Sequence, residues 1–135
     1  MSVNAKEMNP VLNSKVLKRL LKEYADKNQN IVFGYLFGSY STNRQTQMSD
    51  VDIAVYLRDN SFNEVLQINY ELSKLLKKDV DLIVLNDIKN VYLLEAILKD
   101  GKVIKDNDLR FDFEIIKEHE ILDFKENRKY IDAAA

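Results

Sequence analysis

Apolar residues recur along this chain at two spacings, one typical of helices and one typical of strands. Helical spacing predicts four helices, at residues 10–27, 61–76, 90–99 and 108–131. Short segments rich in strand-forming residues predict four strands, at residues 31–37, 50–57, 79–85 and 102–105. Residues 40–49 are polar and carry turn formers, which indicates a connecting loop. This order predicts an α/β fold in which helices flank a small mixed β-sheet and the chain ends in a long C-terminal helix.

Residues with helix-capping chemistry mark several predicted helix ends. Pro10 suits the first turn of the first helix, because the N–H that proline lacks has no partner there. Ser61 followed by Glu64 has the spacing of a capping box, which predicts reciprocal hydrogen bonds at the start of the second helix. Gly101 predicts the end of the third helix.

The final predicted helix has an apolar surface that is wider than packing on one small sheet requires. Two rows form this surface, the first with Leu109, Phe113 and Ile116 and the second with Phe111, Ile115 and Leu122. Either both rows are buried within the domain, or one row docks a partner helix or a second copy of the chain. Large exposed apolar patches mark interaction surfaces, and the sequence leaves both interpretations open.

Length, composition and charge narrow the class of protein. The 135 residues, 46% hydrophobic and 31% charged, predict one folded domain over residues 1–135. A net charge of −2 gives no electrostatic reason to expect binding to nucleic acid or to an anionic membrane. Because cysteine is absent, disulfides, thiolate zinc sites and cysteine nucleophiles are excluded. No membrane-length apolar run or signal-peptide core is present, so we expect no membrane association and a cytoplasmic protein.

Carboxylates mark the start of the second predicted strand. Asp50 and Asp52 project from one face, because side chains along a strand alternate with a period of two. Without further evidence, the pair is also consistent with solvent-facing polar residues at the start of an edge strand. Two carboxylates at this spacing can share hard divalent cations, and a third carboxylate would complete a two-metal site. Asp79 and Asp81 on the next strand are both candidates for this third carboxylate, because residues two apart on a strand point to the same face. Asp81 is preferred because it lies deeper in the strand.

Gly38 and Ser39 follow the first predicted strand and suit the binding of a triphosphate. Glycine lets backbone N–H groups approach phosphate oxygens without a Cβ in the way. The Ser39 hydroxyl adds a hydrogen-bond donor. With magnesium balancing the phosphate charge, such a site would support in-line transfer to a hydroxyl group.

Gly38-Ser39, a ten-residue gap and Asp50-x-Asp52 together resemble the signature of the polymerase-beta-type nucleotidyltransferases. The short length and the segment around Asp81 are similar to the minimal group of that superfamily, and the resemblance covers about residues 17–105. It implies ATP-dependent transfer of a nucleotidyl group, with two Mg²⁺ ions held by Asp50, Asp52 and Asp81. It also places Asp81 near the acceptor hydroxyl.

Minimal nucleotidyltransferases of this kind are often antitoxins paired with a small helical toxin of the HEPN ribonuclease class. Some silence the toxin by attaching AMP to one of its tyrosines, so the resemblance implies such a toxin as the partner. The family commonly continues after Gly-Ser with a bulky residue and then Ala-Arg-Gly, whereas residues 40–43 here read Tyr-Ser-Thr-Asn. Thr42 occupies the usual arginine position, and Arg44 is the candidate to bind the nucleotide in its place.

Other functions remain open from the sequence. Thr42 in place of arginine favours an antitoxin that keeps the fold but blocks its toxin by binding alone. An enzyme acting on a small hydroxylated molecule, such as an aminoglycoside, resembles larger members of the superfamily, and the short length argues against it. A homo-oligomer is also consistent with the wide apolar surface of the last helix.

Overall fold

The computed structural model describes residues 13–46 and 49–134, with side chains through residue 128. The elements in chain order are α1 (Ser14–Lys27), β1 (Ile31–Phe37), a 3₁₀ turn (Gly38–Tyr40), β2 (Val51–Leu57), α2 (Phe62–Leu76), β3 (Val80–Val84), α3 (Val91–Asp100), β4 (Lys102–Lys105) and α4 (Asp108–Ala134). The predicted order of helices and strands is therefore confirmed. None of the helices in the described ranges has both the length and the apolar character needed to cross a membrane.

Four strands form one mixed sheet in the order β3-β2-β1-β4. β1 pairs antiparallel with both β2 and β4, while β2 and β3 run parallel. A parallel pair needs a crossover connection, and α2 supplies it between β2 and β3. The predicted small mixed sheet is confirmed, and β2 lies in its interior, where both of its edges are paired.

The two faces of the sheet are covered by different helices. Buried residues of α1 and α2 form one cluster with the side of β2 that carries Val51, Ile53 and Val55. Residues of α3 and α4 form the second cluster, on the side that carries Ala54 and Tyr56. This division follows the alternation of apolar and polar residues along β2, because neighbouring strand residues point to opposite faces.

Aromatic rings attach α4 to the second face of the sheet. The ring of Phe33 stacks on Tyr56 with centroids 5.1 Å apart, and the ring of Phe113 lies 5.3 Å from Phe33. Tyr35 donates a hydrogen bond to Glu114, the residue after Phe113 on α4. Burial and the Glu114 carboxylate both raise the pKa of the Tyr35 hydroxyl, which therefore stays protonated as the donor. These contacts fix the N-terminal half of α4.

Two predicted helix starts require correction. Helix α1 begins at Ser14, where the Asn13 side chain accepts hydrogen bonds from two backbone N–H groups, and Pro10 lies outside the described residues. Ser61 does precede α2, but its side chain makes no capping hydrogen bond, so the predicted capping box is wrong. The Asp59 carboxylate accepts the Ser61 N–H at 2.9 Å and so takes the donor that Glu64 would need.

The C-terminal end of α1 is closed by a residue from the other end of the chain. The Lys105 ammonium group on β4 donates to the carbonyl oxygens of Ala25 at 2.8 Å and Asn28 at 3.2 Å. The last carbonyl groups of a helix have no partner within the helix, and a cation there also interacts favourably with the helix dipole. Lys105 therefore joins α1 to the edge strand of the sheet.

Replacing Lys105 with methionine should destabilise the fold. Met keeps the apolar stem but loses both hydrogen bonds, and we expect the free energy of unfolding to fall by about 1–2 kcal/mol. Urea unfolding measures this as a lower midpoint with an unchanged slope. Lys102→Met is the matched control, because Lys102 is exposed on the same strand. Equal midpoints for the two variants would contradict the capping role.

Candidate active site

Parallel pairing of β2 and β3 brings two carboxylates side by side. Asp52 is the register partner of Asp81 in this pair. Asp50 immediately precedes β2 and shares the parity of Asp52, so both belong to the same face of the sheet. Asp50 and Asp81 are exposed, and Asp52 is half-buried. The structure therefore assembles the three acidic residues predicted for the site at one end of two neighbouring strands.

The electrostatics of Asp52 show which carboxylates lie near it. Burial, followed by the negative charges of Asp81 and Asp50, raises the pKa of Asp52 to about 6 from an ordinary value near 3.8. Asp79 is absent from these causes. Its backbone carbonyl instead accepts the Val51 N–H at 3.0 Å, which starts the pairing of the two strands. The geometry thus associates Asp81 with the pair, and its role as a metal ligand stays a prediction.

Gly38 lies directly against the Asp52 carboxylate. A Cβ atom added at Gly38 would be 2.1 Å from Asp52 Oδ2, far inside van der Waals contact. The backbone φ of +72° at Gly38 is also a conformation that side-chain-bearing residues rarely adopt. Glycine is thus required at this position for two reasons, and the strand-end bend is formed around the carboxylate.

Hydroxyl groups from the following residues hold this bend in place. The Gly38 carbonyl accepts hydrogen bonds from the Ser41 N–H at 3.1 Å, the Ser41 hydroxyl at 2.9 Å and the Thr42 hydroxyl at 3.2 Å. The Ser39 hydroxyl makes no hydrogen bond within residues 13–46 and 49–128. It is therefore available to a ligand, and its role in binding phosphate stays a prediction.

Arg44 bends back over the same turn. Its backbone N–H donates to the Ser39 carbonyl at 2.9 Å, and its side-chain Nε donates to the Thr42 hydroxyl at 3.0 Å. The side chain is otherwise exposed. Asn43, which precedes it, has a φ of +57°, and asparagine tolerates this left-handed conformation better than most residues. Asn43 therefore supplies a left-handed backbone conformation at a position where glycine would otherwise be favoured.

The loop is also attached to the N-terminus of α1. The Gln45 amide donates to the Ser14 hydroxyl at 2.9 Å, and that hydroxyl lies 3.4 Å from the Tyr40 carbonyl. The Tyr40 side chain is 1% exposed and belongs to the core cluster beside α1. Sequence analysis identified these polar residues only as turn formers. The available signal was the run of hydroxyl and amide side chains in residues 41–46.

The donor set fits magnesium, although the described residues contain no group of three acidic or histidine side chains arranged to enclose an ion. Carboxylate oxygens are hard ligands, and Mg²⁺ in nucleotide-dependent enzymes is usually held by one or two carboxylates together with water and substrate phosphates. Burial, followed by the negative charges of Asp81 and Asp50, raises the pKa of Asp52 and so opposes its ionisation. A magnesium ion that arrives with a nucleotide would favour the ionised carboxylate.

Asp52→Asn should stabilise the chain near neutral pH. Between about pH 4 and pH 6 the unfolded chain releases the Asp52 proton while the folded chain retains it, so wild-type stability falls as the pH rises through this window. Asparagine carries no charge to repel. We expect the variant to melt about 3 °C or more above the wild type at about pH 7.5, with no difference below about pH 4.

Differential scanning fluorimetry across this pH range, without divalent cations, measures the effect. Asp123→Asn is the matched control, because Asp123 is exposed on α4 and away from the carboxylates. A constant difference between Asp52→Asn and wild type at every pH would show that the ionisation of Asp52 does not cause the difference.

Comparison with known proteins identifies the family to which this site belongs. The sequence profile of "Polymerase beta, Nucleotidyltransferase" matches residues 19–110. Among relatives, the chain is 36% identical over 86 residues to MJ0126, an inferred protein adenylyltransferase of Methanocaldococcus jannaschii, covering 63% of this chain and 87% of that protein. It is 37% identical over 92 residues to protein adenylyltransferase MntA of Shewanella oneidensis, covering 67% of this chain and 63% of that protein.

A solved structure agrees with the fold and with this grouping. A toxin–antitoxin structure with AMP-PNP superposes with a TM-score of 0.70 at 27% identity, over 92% of this chain and 100% of the matched chain. The matched profile spans β1 to β4 and so contains the glycine-serine bend and all three carboxylates. On this evidence, the chain belongs to the polymerase beta nucleotidyltransferase family.

Proposed function

We propose that this chain transfers AMP from Mg-ATP to a hydroxyl group of a partner protein, a tyrosine of a HEPN-type toxin, and acts as the antitoxin of that toxin. One observation carries the proposal: Asp52, in register with Asp81 and close to Asp50, lies against the Gly38 bend. This arrangement places negative oxygen ligands beside a backbone turn suited to phosphate. It is the combination that nucleotidyl transfer requires.

Each residue of the site has a separate part in the proposed reaction. Asp50, Asp52 and Asp81 would hold two magnesium ions, which when bound offset the phosphate charge and make the acceptor hydroxyl more acidic. Gly38 and Ser39 bind phosphate oxygens through the backbone and the free hydroxyl. Asp81, more exposed than Asp52, faces the acceptor and takes the proton of its hydroxyl group. The acceptor oxygen then bonds to the α-phosphorus as the bond to the β-phosphate breaks and pyrophosphate leaves.

The relatives support the donor and the class of acceptor. Two of them carry the name protein adenylyltransferase, which favours transfer of AMP to a protein. The matched toxin–antitoxin structure with an ATP analogue favours ATP as donor and a toxin as partner. Because ATP is supplied inside the cell, we place the activity in the cytoplasm.

Helix α4 offers a surface for that partner. The second apolar row is exposed on this chain: Phe111 is 67%, Ile115 42% and Leu122 60% accessible. In the first row Phe113 packs on the sheet, whereas Leu109 and Ile116 are also more than half exposed. Of the two interpretations left open by the sequence, burial of both rows within the domain is therefore wrong for the described residues. The second row is unpartnered and available for docking.

The second row continues into a groove of about 390 Å³ between α3 and α4. Leu98, Ile121 and Leu122 line it together with the charged residues Lys99 and Glu118 and the Lys125–Glu95 ion pair. A helix of the toxin is the occupant we propose, because an amphipathic helix can set its apolar face on the apolar row and its polar side chains beside these charges.

Mass measurement of the partner tests the transfer. The chain is co-expressed with the product of the neighbouring gene as the candidate toxin, ATP and magnesium are supplied, and the mass of the intact candidate toxin is measured. We expect an increment of one or more AMP groups, lost with Asp50→Asn and Asp52→Asn. If the wild type and both variants neutralise the toxin equally and the mass of the toxin does not change, the chain is instead an antitoxin that acts by binding alone. Consumption of ATP only with a small hydroxylated acceptor would exclude a protein target.

Substitution in the second row tests the docking surface. Phe111→Asp combined with Leu122→Asp should weaken toxin binding about tenfold or more, because exposed aromatic and apolar anchors dominate such interfaces. Binding of AMP-PNP by the variant chain should be unchanged. Phe62→Asp is the matched control, since Phe62 is 75% exposed on α2, which covers the opposite face of the sheet. Equal loss of toxin binding in the control would show that the α4 row is not the docking surface.

A further inference from the structure

Arg44 is the sole lysine or arginine in residues 38–50, the segment from the glycine bend to the first carboxylate. Its backbone N–H is bonded to the Ser39 carbonyl, so its Cα is held next to the bend. Its guanidinium group uses Nε to bond the Thr42 hydroxyl, and within the described residues its two Nη groups have no other partner. A cation with two free donor groups is therefore held beside the bend that Asp52 touches.

The Thr42 hydroxyl links this cation to the bend. A hydroxyl group has one proton, and Thr42 donates it to the Gly38 carbonyl at 3.2 Å. Its oxygen lone pair is then left to accept the Arg44 Nε–H at 3.0 Å. These two hydrogen bonds link Arg44 to Gly38 through the Thr42 hydroxyl group. Thr42 is half-buried, so this connection is shielded on one side, whereas Arg44 is exposed.

We infer that Thr42 is a positioning residue, which orients the Arg44 guanidinium so that its Nη groups bind the phosphate chain of the nucleotide at Gly38 and Ser39. The inference rests on the proposed function and adds the residue that makes Arg44 effective. An exposed arginine without such a contact samples many rotamers, and ordering it on binding lowers affinity. With Nε bonded to Thr42, the edge of the guanidinium group formed by the two Nη groups is directed away from the threonine. This edge suits bidentate contact with phosphate oxygens.

Four variants test this role on the whole chain. Arg44→Met removes the cation, Thr42→Val removes the hydroxyl with little change of shape, and Thr42→Ser retains the hydroxyl. The fourth variant combines Arg44→Met with Thr42→Val. The probes are AMP-PNP with magnesium and inorganic tripolyphosphate, measured by calorimetry, with adenosine as the ligand that lacks phosphate. Thr42→Ala serves as a second variant without the hydroxyl if the valine variant does not fold.

Arg44→Met should weaken tripolyphosphate binding about tenfold or more, the effect of losing charge-assisted hydrogen bonds. Thr42→Val should weaken it about three- to tenfold, and Thr42→Ser should bind like the wild type. The double variant should match Arg44→Met alone, because a residue that acts only through Arg44 has nothing left to position. Adenosine binding should be unchanged in all four.

Three results would overturn the inference: wild-type affinity in Thr42→Val, wild-type affinity in Arg44→Met, or fully additive losses in the double variant. Additive losses would mean that Thr42 supports the loop independently of Arg44. Because these measurements need no acceptor, they are separate from the transfer assay. A chain that binds tripolyphosphate in this Thr42-dependent way but transfers no AMP would sustain the positioning role and refute the proposed function.

Discussion

The register between β2 and β3 is the constraint on which the rest of this site depends. It sets Asp52 beside Asp81, and burial, followed by the charges of Asp81 and Asp50, raises the pKa of Asp52 to about 6. Like charges this close oppose folding, so something must hold the strands in place. The opposite side of β2 does so, since Val51 and Val55 are fully buried against α1 and α2. A slip of one residue would turn them away from α1 and α2, and their burial in this register therefore stabilises the repulsive arrangement.

The glycine bend follows from the same constraint. Gly38 is the residue after β1, whose last residue, Phe37, is the register partner of Asp52. The chain must turn at the point where it meets a carboxylate, and a side chain there would occupy the position of an oxygen atom. The loop beyond it is stabilised by burial of Tyr40 and by hydrogen bonds from the Ser41 and Thr42 hydroxyl groups. The exposed side of the loop, with Arg44, is left open to a ligand.

Much of this could be predicted from the sequence, because the alternation along β2 separates the core side from the carboxylate side. Alternation along the strand could not separate Asp79 from Asp81, because residues two apart point to the same face of the sheet. Pairing Asp81 with Asp52 required the register between β2 and β3. The capping box failed because a competing acceptor, Asp59, lies two residues before Ser61. The hydrogen bond between Thr42 and Arg44 depends on the left-handed turn at Asn43, which composition alone does not specify. Exposure of the second α4 row likewise depends on how that helix is rotated on the sheet.

The contact of Lys105 with α1 has a consequence for how the chain reaches this structure. Helix α1 is the earliest element that the structure describes, and the carbonyl groups at its C-terminal end gain a second donor from Lys105 on β4, about 80 positions later. β4 also completes the edge of β1, so the last strand joins two early elements at once. Contacts between distant parts of a chain slow folding. During synthesis on the ribosome, α1 and β1 therefore remain incomplete until almost the whole domain has emerged.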